Sequence, residues 1–106
     1  MDYKYYFTQK AADDVEEILD YVSVELGSPA AARNLYSGIF KNIEELKSFP
    51  DMGMPVDNEY LSDKSVRRLL VENYTVFYKV FNSERKIYVL RVVYSKRNLN
   101  EILSSI

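Results

Sequence analysis

The 106-residue sequence has room for one domain, and a hydrophobic content of 47% is enough for a modest core. It contains neither cysteine nor histidine, which excludes disulfides, thiol nucleophiles, thiolate metal sites, zinc hydrolases and Ser-His or Cys-His catalysis. The net charge is −2, yet residues 1–53 hold ten acids against five bases and residues 54–106 hold six against nine, so an acidic half is joined to a basic one.

The first residues, MDYKYYF, lack the apolar run of a signal peptide, and no later segment reaches the length of a membrane span; a cytoplasmic chain with no membrane partner is expected. Tyr3 to Phe7 reads as an edge strand ending at Thr8, a helix cap, and able to pair with a later sheet. A first helix follows from about Gln9 to Leu26, with Val15, Ile18, Leu19, Val22 and Leu26 at helical spacing. Its acids Asp13, Asp14, Glu16 and Glu17 suit the helix dipole and read as a solvated face; a metal site would need further oxygen ligands converging from elsewhere. Gly27 stops this helix and Ser28-Pro29 starts the next, serine as cap and proline at the first helical position. The second helix runs to about Ser48 on a stripe of Ala32, Leu35, Ile39, Ile43 and Leu46, widened by Tyr36 and Phe40. So short a connection makes an antiparallel helical hairpin, which would cover one face of a sheet.

Phe49-Pro50-Asp51-Met52-Gly53-Met54-Pro55 is turn chemistry, and the region to about Ser65 is expected to be loop. Three antiparallel strands follow: about Val66 to Val71, Tyr74 to about Phe81, and about Ile87 to Tyr94, broken at Glu72-Asn73 and at Asn82 to Arg85. Alternation places Arg91 on the face of Ile87, Val89 and Val93. An arginine in so apolar a strand either pairs with a carboxylate, snorkels to an edge or faces a functional groove. Tyr94-Ser95-Lys96-Arg97-Asn98 then leaves the sheet, and Asn98 or Ser95 caps a short terminal helix whose Ile102, Leu103 and Ile106 dock on the body or on a partner. The expected architecture is α+β: an N-terminal strand, a helical hairpin packed on an antiparallel sheet of about four strands, and a short C-terminal helix, all in one domain over residues 1–106.

The groups left for chemistry near this sheet are guanidinium, ammonium, phenol and the carboxylate of Glu72. Guanidinium binds phosphate oxygens in pairs and phenol rings stack on exposed bases. In a ribonuclease using 2′-hydroxyl attack such arginines would stabilise the developing phosphorane, one donor being worth roughly 3–4 kcal/mol. Proton transfer would fall to Tyr94, Lys96 or Glu72, whose ordinary pKa values lie far from neutral.

The β-α-α-β-β-β order, together with A-A-D-D-V-E-E-I-L-D-Y, F-P-D-M-G-M-P, V-R-R-L-L-V-E-N-Y-T-V-F-Y-K-V and I-Y-V-L-R-V-V-Y-S-K-R-N, resembles the RelE/ParE superfamily of type II toxin–antitoxin toxins over nearly the whole chain. The resemblance implies a small toxin without cofactor or metal, silenced by a cognate antitoxin and meeting operator DNA only through that antitoxin. RelE-like members cleave mRNA at the ribosome through basic residues on the sheet and a tyrosine or histidine near the chain end; ParE-like members inhibit DNA gyrase. Carried over by position, Arg67, Arg68, Arg91, Tyr94, Lys96 and Arg97 are the candidates for target or antitoxin binding, and Arg68, Arg91, Tyr94 and Arg97 the candidates for catalysis in a RelE-like reading. Thr75 stands after Tyr74 where ribosome-dependent members often have arginine, histidine is absent, and the overall basicity expected for docking into ribosomal RNA is lacking. The long hairpin followed by F-P-x-x-G resembles the ParE layout more closely.

Overall fold

The computed structural model describes residues 2–106. The chain opens with β1 (Lys4–Phe7), and Thr8 then caps α1 (Gln9–Asp20) by accepting a hydrogen bond from the Ala11 amide. The helix continues as a π-helical turn, Tyr21–Glu25, in which the Leu26 amide reaches back to the Tyr21 carbonyl at 3.0 Å. That wider turn breaks the 3.6-residue spacing. Val22 stays buried, but Leu26, expected on the buried stripe, is 60% exposed. Gly27 takes the left-handed φ of +62° that ends the helix, and Ser28 caps α2 (Pro29–Leu46), with proline at its start.

The sheet has five strands rather than about four, in the order β1-β5-β4-β3-β2. The added strand is β2 (Met54–Pro55), inside the stretch expected to be loop, and it pairs with Arg67 and Arg68 of β3 (Val66–Val71). It is two residues long and lies at the sheet edge, where the missing N–H of Pro55 is tolerated. The strands β3, β4 (Tyr74–Phe81) and β5 (Lys86–Tyr94) are antiparallel neighbours, whereas β1 lies parallel to β5, so the sheet is mixed. Both hairpin turns contain a non-glycine residue in left-handed backbone, Glu72 and Arg85, each at φ 54°.

The α1–α2 hairpin covers one sheet face around Val15, Ile39, Ile43, Val76, Val89 and Val92. The opposite face is partly covered by the 56–65 loop and by α3 (Leu99–Ser104), where Leu61, Ile102 and Leu103 pack on Val66, Phe77 and Val93. Asn98 caps α3, and Ile106 packs beside its buried pair.

One irregularity resets the faces of β5. Tyr78 pairs with Val89 but its neighbour Phe77 pairs with Arg91, leaving Leu90 as an extra residue. A bulge of one residue exchanges inward and outward positions beyond it. Ile87, Val89 and Val92 therefore pack toward the helices while Val93 packs on the α3 side. The expected grouping of Arg91 and Val93 with Ile87 and Val89 is corrected accordingly.

Candidate functional site

The sheet end formed by Tyr74 and Tyr94 is where the basic chain end meets the helical hairpin. These two residues pair across β4 and β5, and their rings meet edge-on at 5.8 Å. The strand exit is fixed by the Ser95 amide donating to the Asn73 carbonyl at 2.8 Å and by the Thr75 and Ser95 hydroxyls 2.7 Å apart. A tight turn follows, with the Arg97 amide on the Tyr94 carbonyl at 3.0 Å, and it brings Arg97 to the lip of two cavities.

The larger is a groove of about 690 Å³ between this sheet end and the hairpin, lined by Glu17, Ile18, Tyr21, Leu26, Asn73, Tyr74, Tyr94 and Arg97. The π-helical turn supplies Tyr21 and, at its C-cap, Leu26, which are 54% and 60% exposed. Burial, with the neighbouring Tyr94, Tyr21 and Glu72 adding to it, pushes the Tyr74 phenol above its ordinary 10 and keeps it protonated. The smaller cavity, about 380 Å³, is polar and lies between Lys10, Arg91, Arg97 and the Asn98–Ser105 segment. Tyrosine and arginine around an apolar floor are the side chains that anchor macromolecular contacts.

Arg91 is not a free member of this site. The strand β1 stops alongside Val89, leaving the edge of β5 beyond it open, and α1 passes along that edge. There the Asp14 carboxylate accepts the Val92 amide at 3.0 Å, replacing the missing strand partner, and the Arg91 guanidinium at 2.7 and 3.0 Å. Both side chains are about nine-tenths buried. The hydrogen bond to Asp14 raises the Arg91 pKa further above the range in which it could lose a proton. Asp14, expected on a solvated face, is thus a core carboxylate, and Arg91, a candidate for catalysis and for target binding, belongs to a structural pair.

Arg67 is held as well. Its guanidinium donates to the Gly53 carbonyl at 2.7 Å and lies 3.6 Å from the Asp51 carboxylate. The buried Tyr78 hydroxyl donates to the Pro50 carbonyl and accepts from the Gly53 amide, both at 2.9 Å. A Cβ at Gly53 would stand 2.5 Å from the Arg68 carbonyl oxygen and 2.6 Å from the Tyr78 hydroxyl, so the turn closes only on glycine. The F-P-D-M-G-M-P segment is therefore braced by the sheet through Arg67 and Tyr78.

Arg68, Tyr94, Lys96 and Arg97 are exposed. Tyr94 and Arg97 share the groove; Lys96 lines neither cavity, and Arg68 sits on the α3 side of β3, opposite Phe77. The fold does not gather the six candidate residues into one cluster. Tyr21, Leu26, Glu17 and Tyr74 enter the groove unannounced. The available signal was Tyr21, an aromatic lying off the apolar stripe of its helix. Among the described residues, no three His, Cys, Asp or Glu side chains converge as metal binding would require, and no helix is long and apolar enough to cross a membrane.

Residues 5–99 match the family model of the ParE toxin of type II toxin–antitoxin systems, parDE. No curated protein sequence matches. The fold is similar to that of the chromosomal ParDE toxin–antitoxin system from P. aeruginosa, with a TM-score of 0.71 at 24% identity, covering 89% of this chain and 97% of that one. It is also similar to the RelBE2 toxin–antitoxin complex from Mycobacterium tuberculosis, with a TM-score of 0.63, 18% identity and coverage of 89% and 99%. For the isolated E. coli RelE toxin the values are 0.61, 14%, 97% and 93%.

Proposed function

The chain belongs to the ParE toxin family of type II toxin–antitoxin systems, and from that premise we propose that it arrests growth by binding a protein target, with DNA gyrase the leading candidate, until a cognate antitoxin covers it. The observation that carries this reading is the state of Arg91. A ribonuclease working without histidine depends on guanidinium groups facing the scissile phosphate, and here the arginine of the last strand is turned into the fold by two hydrogen bonds to Asp14. The groove supplies tyrosine rings, exposed leucine and one guanidinium, a composition suited to a protein surface. Tyr74 is held protonated, so it offers no base near neutral pH. Tyr94 and Arg97 are the contacts assigned to the target, and the same lip, with Lys96 and Arg68, is assigned to the antitoxin. Solved structures of similar fold include toxin–antitoxin complexes, which supports a cognate antitoxin as a partner.

Purified toxin added to a gyrase supercoiling reaction should block supercoiling, and Arg97→Ala should relieve the block. Unchanged supercoiling at excess toxin would overturn the gyrase reading. A RelE-like ribosome-dependent endoribonuclease is the second reading, favoured by the shared placement of Tyr94 and Arg97. Primer extension on translated mRNA would then reveal toxin-dependent cuts that fade in Arg97→Ala.

A further inference from the structure

The segments Lys4-Tyr5-Tyr6 and Lys86-Ile87-Tyr88 share a Lys-x-Tyr spacing, and their strands pair in parallel with Lys4 opposite Lys86 and Tyr6 opposite Tyr88. Residues two apart share a face of a strand, so ammonium lies beside ammonium and ring beside ring. Tyr5, Phe7, Ile87 and Val89 pack toward the helices, which puts the Lys-x-Tyr pairs on the other face. The Tyr6 and Tyr88 rings stack with centroids 5.4 Å apart at 26°, and Phe81 of β4 meets Tyr88 edge-on at 5.4 Å. This row of three rings ends at the open edge of the sheet, where Tyr6 is 41% exposed. The Lys86 ammonium stands 5.9 Å from the Tyr6 ring centre. Neither Lys4 nor Lys86 has a carboxylate partner among the described residues, whereas Lys79, over Phe81 at 5.0 Å, is held by Asp63. Like charges directly opposite on paired strands repel, and a bound anion would relieve that repulsion.

We propose that this edge is a stacking platform for single-stranded nucleic acid. One base continues the row of rings beyond Tyr6, and adjoining phosphates lie on Lys4 and Lys86. Every base has a π-face and every nucleotide a phosphate, so such a platform binds with little sequence preference and strong salt dependence. A duplex keeps its bases stacked on one another and would gain only the phosphate contacts. A membrane surface would call for aliphatic side chains beside the lysines, and Tyr6 is the one exposed large hydrophobic residue of β1 and the first half of β5. The platform is distinct from the Tyr94 groove, since Tyr88 and Tyr94 lie six residues apart on β5, roughly 20 Å along an extended strand.

Fluorescence anisotropy of the full chain with labelled oligo-dT and oligo-U at low salt tests the proposal. Both oligonucleotides should bind, with affinity falling as salt rises, and a duplex of equal length should bind more weakly. Tyr6→Ala should weaken binding about tenfold while Tyr6→Phe retains it. The double variant Lys4→Gln/Lys86→Gln alters exposed ammonium groups and should flatten the salt dependence with the fold intact. The proposal is overturned if neither oligonucleotide binds, if the double lysine variant binds as the parent does, or if a folded Tyr6→Ala binds as the parent does. A strict requirement for the 2′-hydroxyl would overturn it too, since neither ring stacking nor the lysines read that group.

Discussion

The middle of the sheet and its Tyr94 end both carry arginine, and they differ in what the guanidinium meets. In the middle, Arg67 closes on the Gly53 carbonyl and Arg91 on the Asp14 carboxylate, each satisfied within the protein. At the end, Arg97 follows a tight turn beyond the last ladder pair, and its guanidinium, with no hydrogen-bonded or ion-paired partner among the described residues, lines the groove. Residue type does not separate these roles; the nearest acceptor does. Changes in the middle should therefore act on stability and changes at the end on toxicity.

The largest expected effect is at Asp14. Replacing it by alanine leaves a buried guanidinium and the Val92 amide without a partner, and breaking such a pair costs about 3–5 kcal/mol. Urea denaturation should show that loss. Asp14→Leu combined with Arg91→Leu removes both charges and should recover part of it, because two apolar side chains can replace an ion pair at little net cost while the Val92 amide stays unpaired. A neutral Asp14→Ala would mean that Arg91 is not held for stability.

Next comes Tyr78→Phe, which strands the Pro50 carbonyl and the Gly53 amide beneath the turn. Leaving buried polar groups unpaired costs about 1–3 kcal/mol. Equilibrium denaturation of this variant and of Arg67→Ala should place both below the parent. Equal stability of Tyr78→Phe and the parent would mean that the turn is braced elsewhere.

Local signals carried most of the fold. Thr8, Ser28 and Asn98 cap the helices they precede, Gly27 ends the first, and β3 spans the residues that alternation and the Glu72-Asn73 break delimit. What the sequence concealed was set at long range or by a single residue. Asp14 and Arg91 are 77 positions apart, and nothing near either tells that α1 passes along the open edge of β5. The bulge at Leu90 reverses the faces of the strand, yet an added residue leaves no mark in an apolar run. Groove residues Tyr21 and Leu26 depend on one π-helical turn, which helical periodicity does not anticipate. The parallel pairing of β1 is likewise topological, and with it the alignment of the two Lys-x-Tyr segments.

A smaller effect is expected at Asp63, where the region bracing Val66 meets solvent. Its hydrogen bond from Lys79 at 2.6 Å, aided by Ser65, holds its carboxyl well below the ordinary 3.8. A depressed folded-state pKa gives stability that is complete above the unfolded value and is lost as pH falls below it toward the folded value. The pair is partly exposed, so its worth stays at or below about 1 kcal/mol. Stability measured from pH 5 downward should therefore fall less steeply in Asp63→Asn than in the parent; identical slopes would remove Asp63 from the acid limb.

The smallest expected effect on stability is at Arg97, and it separates the two regions most sharply. The side chain is exposed, and no hydrogen bond or ion pair among the described residues depends on it, so Arg97→Ala should unfold within about 0.5 kcal/mol of the parent. Its backbone amide, which holds the turn through the Tyr94 carbonyl, survives the substitution, so the neighbouring tyrosines keep their places. If the groove is the toxic surface, induced expression of this variant should no longer arrest growth although the protein folds and accumulates. Full arrest by a stable Arg97→Ala would move the toxic surface away from the Tyr94 end, and Arg68, across the sheet on the α3 side, would be the exposed arginine to examine next.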